Sequence, residues 1–430
     1  MRKMKDSGIE WIGEIPEDWK IQRAKFLFRQ RSEKGNKNPV LLSPTQKNGV
    51  VPQSELEGVV KLKEETDLQS LRTVHSGDYI ISLRSFQGGF ELSNLEGVCS
   101  PAYQVFFPIA DNISHQFFKY LFKSETFIEK INNLTTGIRE GKNILYADFA
   151  NILLPVPYLS EQVAIANFLD EKCAVIDRLV ERHQEVIEKL KAYRQSVISE
   201  TVTRGLDPDA PMKDSGIPWI GKIPSHWNIA KLKYLANIYG GATPSKDFSD
   251  YWNNGNIPWI SAKDLKTNKI YTSSDYITHE GFESCSLSLI EANSLIICTR
   301  SGILKHTLPA VINKIPVTIN QDLKSLTFNK NIIHTQFIQY LFLGRNSQLL
   351  ILLRNSGATV ESIDIDLLKN IFICIPPLEE QQQISKYLDE ICMAFDSIIT
   401  KKQSLIAKLT EYKKSIIYEY VTGKKEVPAS

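Results

Sequence analysis

Two arginines in this sequence each follow a short apolar run, a placement that suits contacts with a nucleic acid. Arg84 comes after the run 78–83 and Arg300 after the run 294–298, and each is followed by serine. A guanidinium group at a strand end can donate two hydrogen bonds to guanine or one to a phosphate, and it can equally form a surface salt bridge. Weaker candidates of the same kind are Lys47, Gln87, Thr243, Ser245, Lys263 and Lys305. These residues predict a polar binding surface, with the salt-bridge alternative open.

No residue set typical of catalysis accompanies this surface. The segment 137–143 imitates a phosphate-binding loop, but it has three residues between its glycines and asparagine where serine or threonine would hold magnesium. The motifs of dinucleotide-binding, zinc-protease, serine-hydrolase and amino-methyltransferase sites are missing. The six cysteines form no Cys-x-x-Cys pair, so neither a zinc site nor a disulfide framework is expected. This pattern favours a binding or organising protein.

Composition agrees with an ordinary globular protein. The chain has 430 residues, 42% hydrophobic and 23% charged, which suggests two or three domains. Its net charge of +2 indicates no particular partner. The apolar stretches are far shorter than the roughly 20 residues of a membrane helix, so we expect a cytoplasmic protein without membrane contact.

An internal repeat organises the chain. Between 4–20 and 212–228, twelve of seventeen positions are identical at a constant offset of 208. Further matches follow at offsets of 220 and 219, through the segment 116–122 and along 151–203. Between the matching parts, 21–110 and 229–325 share almost no identity. We infer that one unit is written twice, as a shared frame that carries two different inserts.

Each copy of the frame contains a long helix. Apolar residues alternate at spacings of four and three from Ile165 and again from Ile384, which is typical of a coiled coil. Prolines precede both helices, Ser160 is a possible N-cap, and Gly205 and Gly423 mark the ends. The predicted seam consists of Ile165, Leu169, Ile176, Leu179, Leu190, Ile384, Leu388, Phe395, Ile398 and Leu409. The two helices would most simply bury these seams against each other as an antiparallel pair.

The inserts show a mixed α/β pattern. Short apolar strands alternate with glycine, proline and asparagine turns, and a helix around 116–131 packs the insert onto the frame. The second insert opens with an aromatic-rich loop at 240–261. Such a loop can be a small core or a stacking surface for bases, and the spacing favours the core.

Together these features resemble the specificity subunits of type I restriction-modification systems. The motifs that carry the resemblance are the Trp-Ile-Gly-x-Ile-Pro-x-x-Trp openings at Trp11 and Trp219, the Gly-x-Thr-Pro-Ser motif with the following Tyr-Trp and Ile-Pro-Trp at 241–260, and the prolines followed by Glu-Gln and a long helix. The first insert departs from this pattern because it lacks the Gly-x-Thr-Pro-Ser loop.

The resemblance implies an α/β (α+β) fold. It has two mixed α/β target recognition domains separated by two long antiparallel coiled-coil helices, with an internal pseudo-two-fold repeat. The implied boundaries are a conserved N-terminal segment at 1–20, recognition domain 1 at 21–157, a central helical region at 158–211, the repeated Trp-Ile-Gly segment at 212–228, recognition domain 2 at 229–375 and a distal helical region at 376–430.

The same resemblance implies a non-catalytic function. Each recognition domain would read one half of a bipartite target in double-stranded DNA, while the helices set the spacing and dock two modification (methyltransferase) subunits. Restriction (motor and nuclease) subunits would join that core. S-adenosylmethionine, ATP and magnesium would serve the partner subunits, and no cofactor is expected in this chain. The alternatives are a coiled-coil adaptor that does not bind DNA and a self-contained DNA methyltransferase or nuclease.

Overall fold

The computed structural model describes residues 2–35, 40–45, 48–56, 70–82, 89–134, 144–355 and 360–428. The chain divides into two compact units, which we call unit 1 (Met1–Gln184 with Gln403–Ser430) and unit 2 (Glu185–Lys402). The loop 137–143 lies outside the described residues. The domain boundaries expected from the sequence stay a prediction.

Unit 1 combines short strands with short helices and part of one long helix. Its strands are β1 (Met4–Asp6), β2 (Glu14–Pro16), β3 (Lys20–Arg23), β4 (Phe28–Gln30), β5 (Leu42–Thr45), β6 (Gly49–Pro52), β7 (Arg72–Val74), β8 (Tyr79–Ile81), β9 (Phe90–Leu92), β10 (Gly97–Cys99), β11 (Gln104–Pro108) and β12 (Leu153–Val156). Its helices are α1 (Ala24–Leu27), α2 (His115–Lys123), α3 (Glu125–Leu134), α4 (Tyr146–Ala150) and the start of α5 (Leu159–Arg204).

The insert of unit 1 is built on an antiparallel sheet of order β4-β11-β8-β9. Every residue of β8 and β9 is buried. Aromatic side chains of α2 and α3 pack in one cluster with Tyr79 and Ile81, whereas Ile80 packs in a second cluster on the other side of β8. The strands β3 and β12 pair antiparallel at the base of the insert, so that the chain enters and leaves it side by side. The hairpin β5–β6 packs beside this sheet around the buried Leu42 and Val50.

Unit 2 repeats the frame with a different insert. Its strands are β13 (Met212–Asp214), β14 (Lys222–Pro224), β15 (Asn228–Lys231), β16 (Ala236–Gly240), β17 (Ile257–Ile260), β18 (Lys269–Ile270), β19 (Asp275–Ile277), β20 (Leu295–Cys298), β21 (Ala310–Asn313), β22 (Thr318–Ile319), β23 (Leu323–Phe328) and β24 (Phe372–Ile375). Its helices are α6 (His279–Glu283), α7 (Thr335–Gly344), α8 (Asn346–Leu353), α9 (Ile365–Asn370) and the start of α10 (Leu378–Val421).

The insert of unit 2 contains two sheets. One has the order β16-β23-β20-β21-β18 and the other the order β19-β17-β22, in which β17 and β22 run parallel. The strand pair β15–β24 closes its base in the same way that β3–β12 closes the insert of unit 1. The two inserts therefore share an entrance and differ in the sheets they carry.

The residues that repeat in the sequence make the same contacts in both units. In unit 1 the indole Nε1 of Trp19 donates to Glu161 at 3.0 Å, and Tyr120 donates to Asp170. The matching contacts in unit 2 are Trp227 Nε1 to Glu380 at 3.0 Å and Tyr340 Oη to Asp389 at 2.6 Å. A further pair is Gln162 and Gln381, fully buried at the helix starts and each bonded to three backbone groups. The sequence repeat therefore specifies a structural frame.

In unit 1 the first part of α5 packs against the last part of α10, and the two run antiparallel. The ring of Phe168 packs at a tilt against that of Tyr420, with centroids 4.5 Å apart. Asp177, further along α5, pairs with Lys413, earlier on α10, at 2.7 Å. Within the described residues, no helix is both long and apolar enough to cross a membrane.

In unit 2 the last part of α5 packs against the first part of α10, again antiparallel. Arg194 forms an ion pair with Asp396, and Gly205 at the end of α5 lies against Glu380 near the start of α10. Gly205 has a φ of 76°, a left-handed conformation that glycine adopts without strain, and it ends α5 as the sequence predicts.

The heptad interpretation of the seam is wrong at two positions. Leu179 and Ile398 are 41% and 43% exposed, whereas Ile399 is only 8% exposed. The inward positions repeat every eleven residues, at Ile165, Ile176, Ile187 and Ile198 on α5 and at Ile384, Phe395, Ile406 and Ile417 on α10. A heptad repeat has about 3.5 residues per turn and an eleven-residue repeat about 3.67, so relative to a straight helix of about 3.6 residues per turn the two repeats drift in opposite directions. Of the other predicted seam residues, Leu169 and Leu388 are buried, and Leu190 and Leu409 are partly buried.

Two smaller expectations need correction. The single helix expected around 116–131 is two helices, α2 and α3, which meet at the buried Ser124. Its hydroxyl donates to the carbonyl oxygen of Leu121 at 2.7 Å, so it bonds to the last turn of α2 at the break. Ser160 is not the N-cap of α5, because the helix already begins at Leu159.

Candidate nucleic-acid interface

Three segments of unit 2 meet at one edge of its insert: the loop 241–245, the turn 320–322 and the residues that follow β20. Ala242 N donates to Ile319 O at 3.1 Å, and Thr299 N donates to Asp322 O at 2.8 Å. Gly241 permits this close approach, since a Cβ atom there would lie 1.8 Å from the carbonyl oxygen of Ile319. Backbone packing thus brings together candidates that are far apart in sequence.

Arg300 lies at this edge in a surface salt bridge. Its Nε donates to Asp322 Oδ1 at 2.7 Å, and the Arg300 side chain remains 56% exposed. The salt-bridge alternative therefore holds in the structure without DNA. An exposed pair of this kind contributes only about 0–1 kcal/mol, so exchanging the carboxylate for a DNA acceptor costs little.

The Gly-x-Thr-Pro-Ser loop is held in place by polar contacts. The hydroxyl of Thr243 donates to the side-chain oxygen of Gln321, an exposed residue that the sequence did not mark as a candidate. The carbonyl oxygen of Ser245 accepts a bond from Trp252 Nε1 at 3.1 Å, and its hydroxyl accepts one from Asp247 N at 3.3 Å. Thr243 and Gln321 thereby connect the loop to the turn that carries Asp322.

Lys263 belongs to the short 3-10 helix that follows β17, and its Nζ lies 2.6 Å from Asp275. The neighbouring Asp264 fixes this helix. Burial alone would raise the pKa of Asp264, but hydrogen bonds from Ser274 and Ser261 outweigh it and lower the pKa below the ordinary value. The backbone that carries Lys263 is therefore fixed, and its side chain is exposed at the surface.

Lys305 lies at the end of another 3-10 helix, Gly302–Lys305, directly after Arg300 and Ser301. It is exposed, and its charge contributes to lowering the pKa of Glu361, which the hydrogen bond from Arg354 lowers more strongly. Arg300 and Lys305 therefore stand on one short segment next to the turn 320–322.

The aromatic-rich loop of unit 2 contains both a buried ring, as in a small core, and exposed rings, as in a stacking surface for bases. Trp259 is 4% exposed and belongs to the buried side of the loop. Phe248 is 59% exposed and contacts the ring of Tyr251 at a centroid distance of 5.2 Å. Tyr239 on β16, which the sequence analysis did not select, is also exposed. Exposed rings beside a polar edge are suitable for stacking on bases.

In unit 1 the candidates Lys47, Arg84 and Gln87 lie outside the described residues. Among its described residues, unit 1 has a cavity of about 280 Å³ that is lined in part by Asn48, Glu91 and Lys123. The carboxylate of Glu91 is buried and lies 2.9 Å from Lys123 Nζ. Burial raises the pKa of Glu91, and Lys123 opposes part of this shift. No signal in the sequence distinguished this pair, because Glu91 lies in an otherwise apolar strand.

Comparison with known proteins gives consistent results. The family described as "Type I restriction modification DNA specificity domain" matches residues 9–190 and 224–409. The chain is 30% identical over 302 residues to the EcoR124I/EcoR124II specificity subunit of Escherichia coli, covering 67% of this chain and 69% of that protein. It is 24% identical over 427 residues to the MjaVIII specificity subunit of Methanocaldococcus jannaschii, covering 95% and 93%.

Two solved structures share the fold. A chain from a study of complex assembly and conformational transition of the type I R-M system superposes with a TM-score of 0.73 at 18% identity, covering 96% of this chain and 99% of that chain. The HsdS subunit from Thermoanaerobacter tengcongensis superposes with a TM-score of 0.54 at 17% identity, covering 98% and 100%.

Proposed function

This chain belongs to the type I restriction-modification DNA specificity family, and from that membership we propose that each of its two recognition domains reads one half of a bipartite DNA target. The chain is the non-catalytic, sequence-specificity component of a type I restriction-modification enzyme. The proposal assigns the first half-site to the insert of unit 1 and the second half-site to the insert of unit 2.

One observation carries this proposal: a duplicated frame holds two inserts with different sheets. The Trp–Glu and Tyr–Asp contacts are the same in both units, whereas the strands between them differ in number, order and direction. A protein that reads two unlike sequences needs this combination, because sequence is read by side chains at base edges, while a common frame suits a common partner.

At the edge of unit 2, Arg300 is the residue best placed to read a base. In the free chain Asp322 accepts one of its bonds, and DNA can replace that carboxylate with guanine O6 and N7, two acceptors in the geometry of the guanidinium group. Lys305 and Lys263 are suited to phosphate contacts, which position the domain without reading sequence. Thr243, Ser245 and Gln321 supply neutral donors and acceptors on the same edge.

The partners and cofactors form part of the same proposal. Two modification subunits dock on the frame, and restriction subunits join the assembly. S-adenosylmethionine, ATP and magnesium are bound by those subunits, and the complex works in the cytoplasm. The name of the Escherichia coli relative as part of a type I restriction enzyme supports this assignment.

The test is DNA binding and methylation by the chain assembled with its modification subunits. Arg300→Ala should weaken binding by about 1–3 kcal/mol and relax discrimination at one base pair of the second half-site, leaving the first half-site unchanged. Lys305→Ala should weaken binding uniformly across sequences and reduce the slope of affinity against salt by about one phosphate contact.

Lys369→Ala is the matched control, since this exposed lysine of unit 2 pairs with Asp366 on α9, a different segment of the chain. Unchanged affinity of Arg300→Ala at both low and moderate salt would remove Arg300 from the interface. Absence of salt-dependent duplex binding by the whole complex would favour the adaptor alternative.

A further inference from the structure

Unit 2 contains a polar groove of about 560 Å³ outside the candidate DNA interface. It lies between the last turns of α5 and the junction of α7 with α8, and its lining includes Gln195, Ser199, Thr203, Arg204, Arg345 and Gln348. Gly344 at the junction allows this close packing, because a Cβ atom there would lie 3.1 Å from atoms of Ile198 and Val202. Neither the frame contacts nor the DNA proposal uses this groove.

Arg345 is the central charge of the groove. Its Nη2 donates to the hydroxyl of Thr203 at 3.2 Å, while its Nε is buried without a hydrogen-bond partner among the described residues. Burial lowers the pKa of Arg345 below its ordinary value, and the nearby Arg204 lowers it further. A guanidinium group in this setting lacks the anion that would normally compensate its desolvation.

The helix that starts at this point adds to the unmet charge. Arg345 directly precedes α8, and the first turn of α8 has neither an acidic residue nor a side-chain cap. Amide groups at a helix N-terminus carry a partial positive charge that favours an anion. The guanidinium group and the helix end therefore favour the same kind of ligand.

Unit 1 supplies that anion from its own sequence. Glu125 is the counterpart of Arg345 at the offset of 220, and it occupies the first turn of α3. Its carboxylate lies 3.3 Å from Nζ of Lys414 on α10. At the offset of 219, Lys414 corresponds to Gln195 in unit 2, whose amide donates instead to the carbonyl oxygens at the end of α7. Tyr418 in unit 1 likewise corresponds to the smaller Ser199.

We propose that this groove binds a carboxylate side chain from an acidic segment of a partner protein, with Arg345 and the first turn of α8 as its ligands. The partner's acid would take the place that Glu125 holds in unit 1. This function goes beyond DNA recognition and belongs to unit 2.

Charge selects a carboxylate over a phosphate. Glu200 on the groove wall pairs with Arg204 at 3.2 Å. Among the described residues that line the groove, this leaves Arg345 as the one uncompensated charge. A carboxylate monoanion balances it and matches the two-pronged geometry of a guanidinium group, whereas a phosphate dianion would add repulsion from Glu200. Exposed residues of α5 and α8 form the walls, so a bound group remains partly in solvent, as a side chain of a docked peptide does.

The experiment measures binding of a fluorescein-labelled oligoglutamate peptide to the full chain by fluorescence anisotropy, with an oligoglutamine peptide as the uncharged probe. We expect oligoglutamate to bind with a stoichiometry of one and oligoglutamine not to bind. Arg345→Gln should weaken oligoglutamate binding about tenfold or more, the value of one charge-assisted hydrogen bond. Lys330→Gln, which removes an exposed charge of unit 2 away from the groove, is the matched control and should bind normally.

A second pair of variants exchanges the groove residues of unit 2 with their counterparts in unit 1. Gln195→Lys with Arg345→Glu builds the ion pair of unit 1 into unit 2, and it should abolish binding while circular dichroism and thermal unfolding stay those of the parent chain. Glu125→Arg with Lys414→Gln and Tyr418→Ser opens the equivalent place in unit 1, and it should raise the stoichiometry from one to two. This gain does not depend on whether the unit 2 variant folds.

Three kinds of result would overturn the proposal. The first is equal binding of oligoglutamate by the parent chain and Arg345→Gln, or no binding by the parent. The second is loss of peptide binding in Arg300→Ala, or displacement of the peptide by a short DNA duplex, which would place the peptide on the DNA interface. The third is competition by inorganic phosphate at lower concentration than acetate, which would assign the groove to phosphate.

Discussion

Unit 1 and unit 2 fill equivalent frames with different kinds of core. In unit 1 the rings of Phe28, Tyr79, Phe106 and Phe122 pack edge to face, tilted or stacked at centroid distances of 5.1–6.1 Å. In unit 2 the same region is mostly aliphatic and buries Leu295, Ile297, Ile312 and Leu326. Each core nonetheless packs on an equivalent buried tryptophan, Trp19 or Trp227, and on its own part of the helices α5 and α10. The comparison teaches that a few repeated polar contacts define the frame, while the insert core is free to change.

The largest effect is expected when one frame is removed, which tests whether the frames of the two units are interchangeable. A fragment of residues 1–211 lacks 403–430, and with it Ile417 and Val421, which cover the opening segment of unit 1. Their counterparts Ile198 and Val202 are present in the fragment, so a second copy can supply the missing cover. We expect a two-fold symmetric dimer by light scattering, which would direct methylation to a palindrome of the first half-site.

A well-folded fragment that stays strictly monomeric would show that the two frames are not interchangeable. Ile198→Asp in the same fragment is the control, because it places a charge at the position that must enter the partner copy, and this variant should remain monomeric or unfold.

Helix length gives the second test. Because the inward positions repeat every eleven residues, inserting twenty-two residues into α5 near 184 and twenty-two into α10 near 402 preserves the buried face. At 1.5 Å per residue this adds about 33 Å, roughly one turn of DNA. We expect the unspecified spacer to grow by about ten base pairs, with both half-site sequences unchanged, as read by methylation mapping.

The control inserts fourteen residues into each helix. A heptad seam would accept this insertion, whereas in a seam of about 3.67 residues per turn it would rotate the buried face by about 65°. We expect this variant to lose stability. Full stability of the fourteen-residue variant, or altered half-sites in the twenty-two-residue one, would contradict the seam described above.

Stability of each unit should depend on its own tryptophan. Trp19 and Trp227 are 1% and 0% exposed and contact Phe117 and Phe337 edge to face. Replacement by alanine should cost about 3–5 kcal/mol in the unit that contains it, because a large cavity forms and Glu161 or Glu380 loses a donor. Hydrogen exchange resolved along the chain is the measurement.

Trp19→Phe and Trp227→Phe are the milder controls. They lose the bond to glutamate, but the six-membered ring of phenylalanine leaves a smaller cavity than alanine does. Equal loss of protection in both units after a single alanine substitution would mean that the frames are not energetically separate.

The smallest expected difference between the units is in how their stability depends on pH. Burial, followed by the charge of Lys314, lowers the pKa of His334 in unit 2, and Asp389 opposes this shift. The folded state therefore binds the proton less tightly than the unfolded state, and unit 2 should lose stability as pH falls below about 6.5. Ser114 holds the equivalent position in unit 1 and does not titrate in this range.

His334→Ser should remove this loss, measured as the unfolding midpoint of unit 2 between pH 7 and pH 5. Glu91 gives unit 1 the opposite sign. Burial raises its pKa, so the folded state gains stability as pH falls through that raised pKa toward the ordinary value of 4.5. An identical pH response of the two units would contradict both assignments.

Sequence alone predicted the frame well, because the frame is local and repeated. Proline before α5 and glycine after it mark its bounds, and the apolar strands around 78–83 and 294–298 occur as β8 and β20. The candidate site was predicted less completely. Arg300 was identified, but its partner Asp322 and the neighbouring Gln321 were not. They lie on the turn between β22 and β23, and only the tertiary contact from Ala242 N to Ile319 O brings the loop 241–245 beside that turn.

Residue order by itself determined the duplication, the two long helices and the family, since each depends on patterns within short windows of the chain. Tertiary packing decided which helix face is buried, as Leu179 and Ile398 show: heptad and eleven-residue periods differ by a small angle per turn, and only contact with the partner helix selects between them. It also decided which charges lack a partner. Glu125 and Arg345 occupy the same place in the repeat, but a residue's charge is compensated by its neighbours in space, and these come from distant parts of the chain.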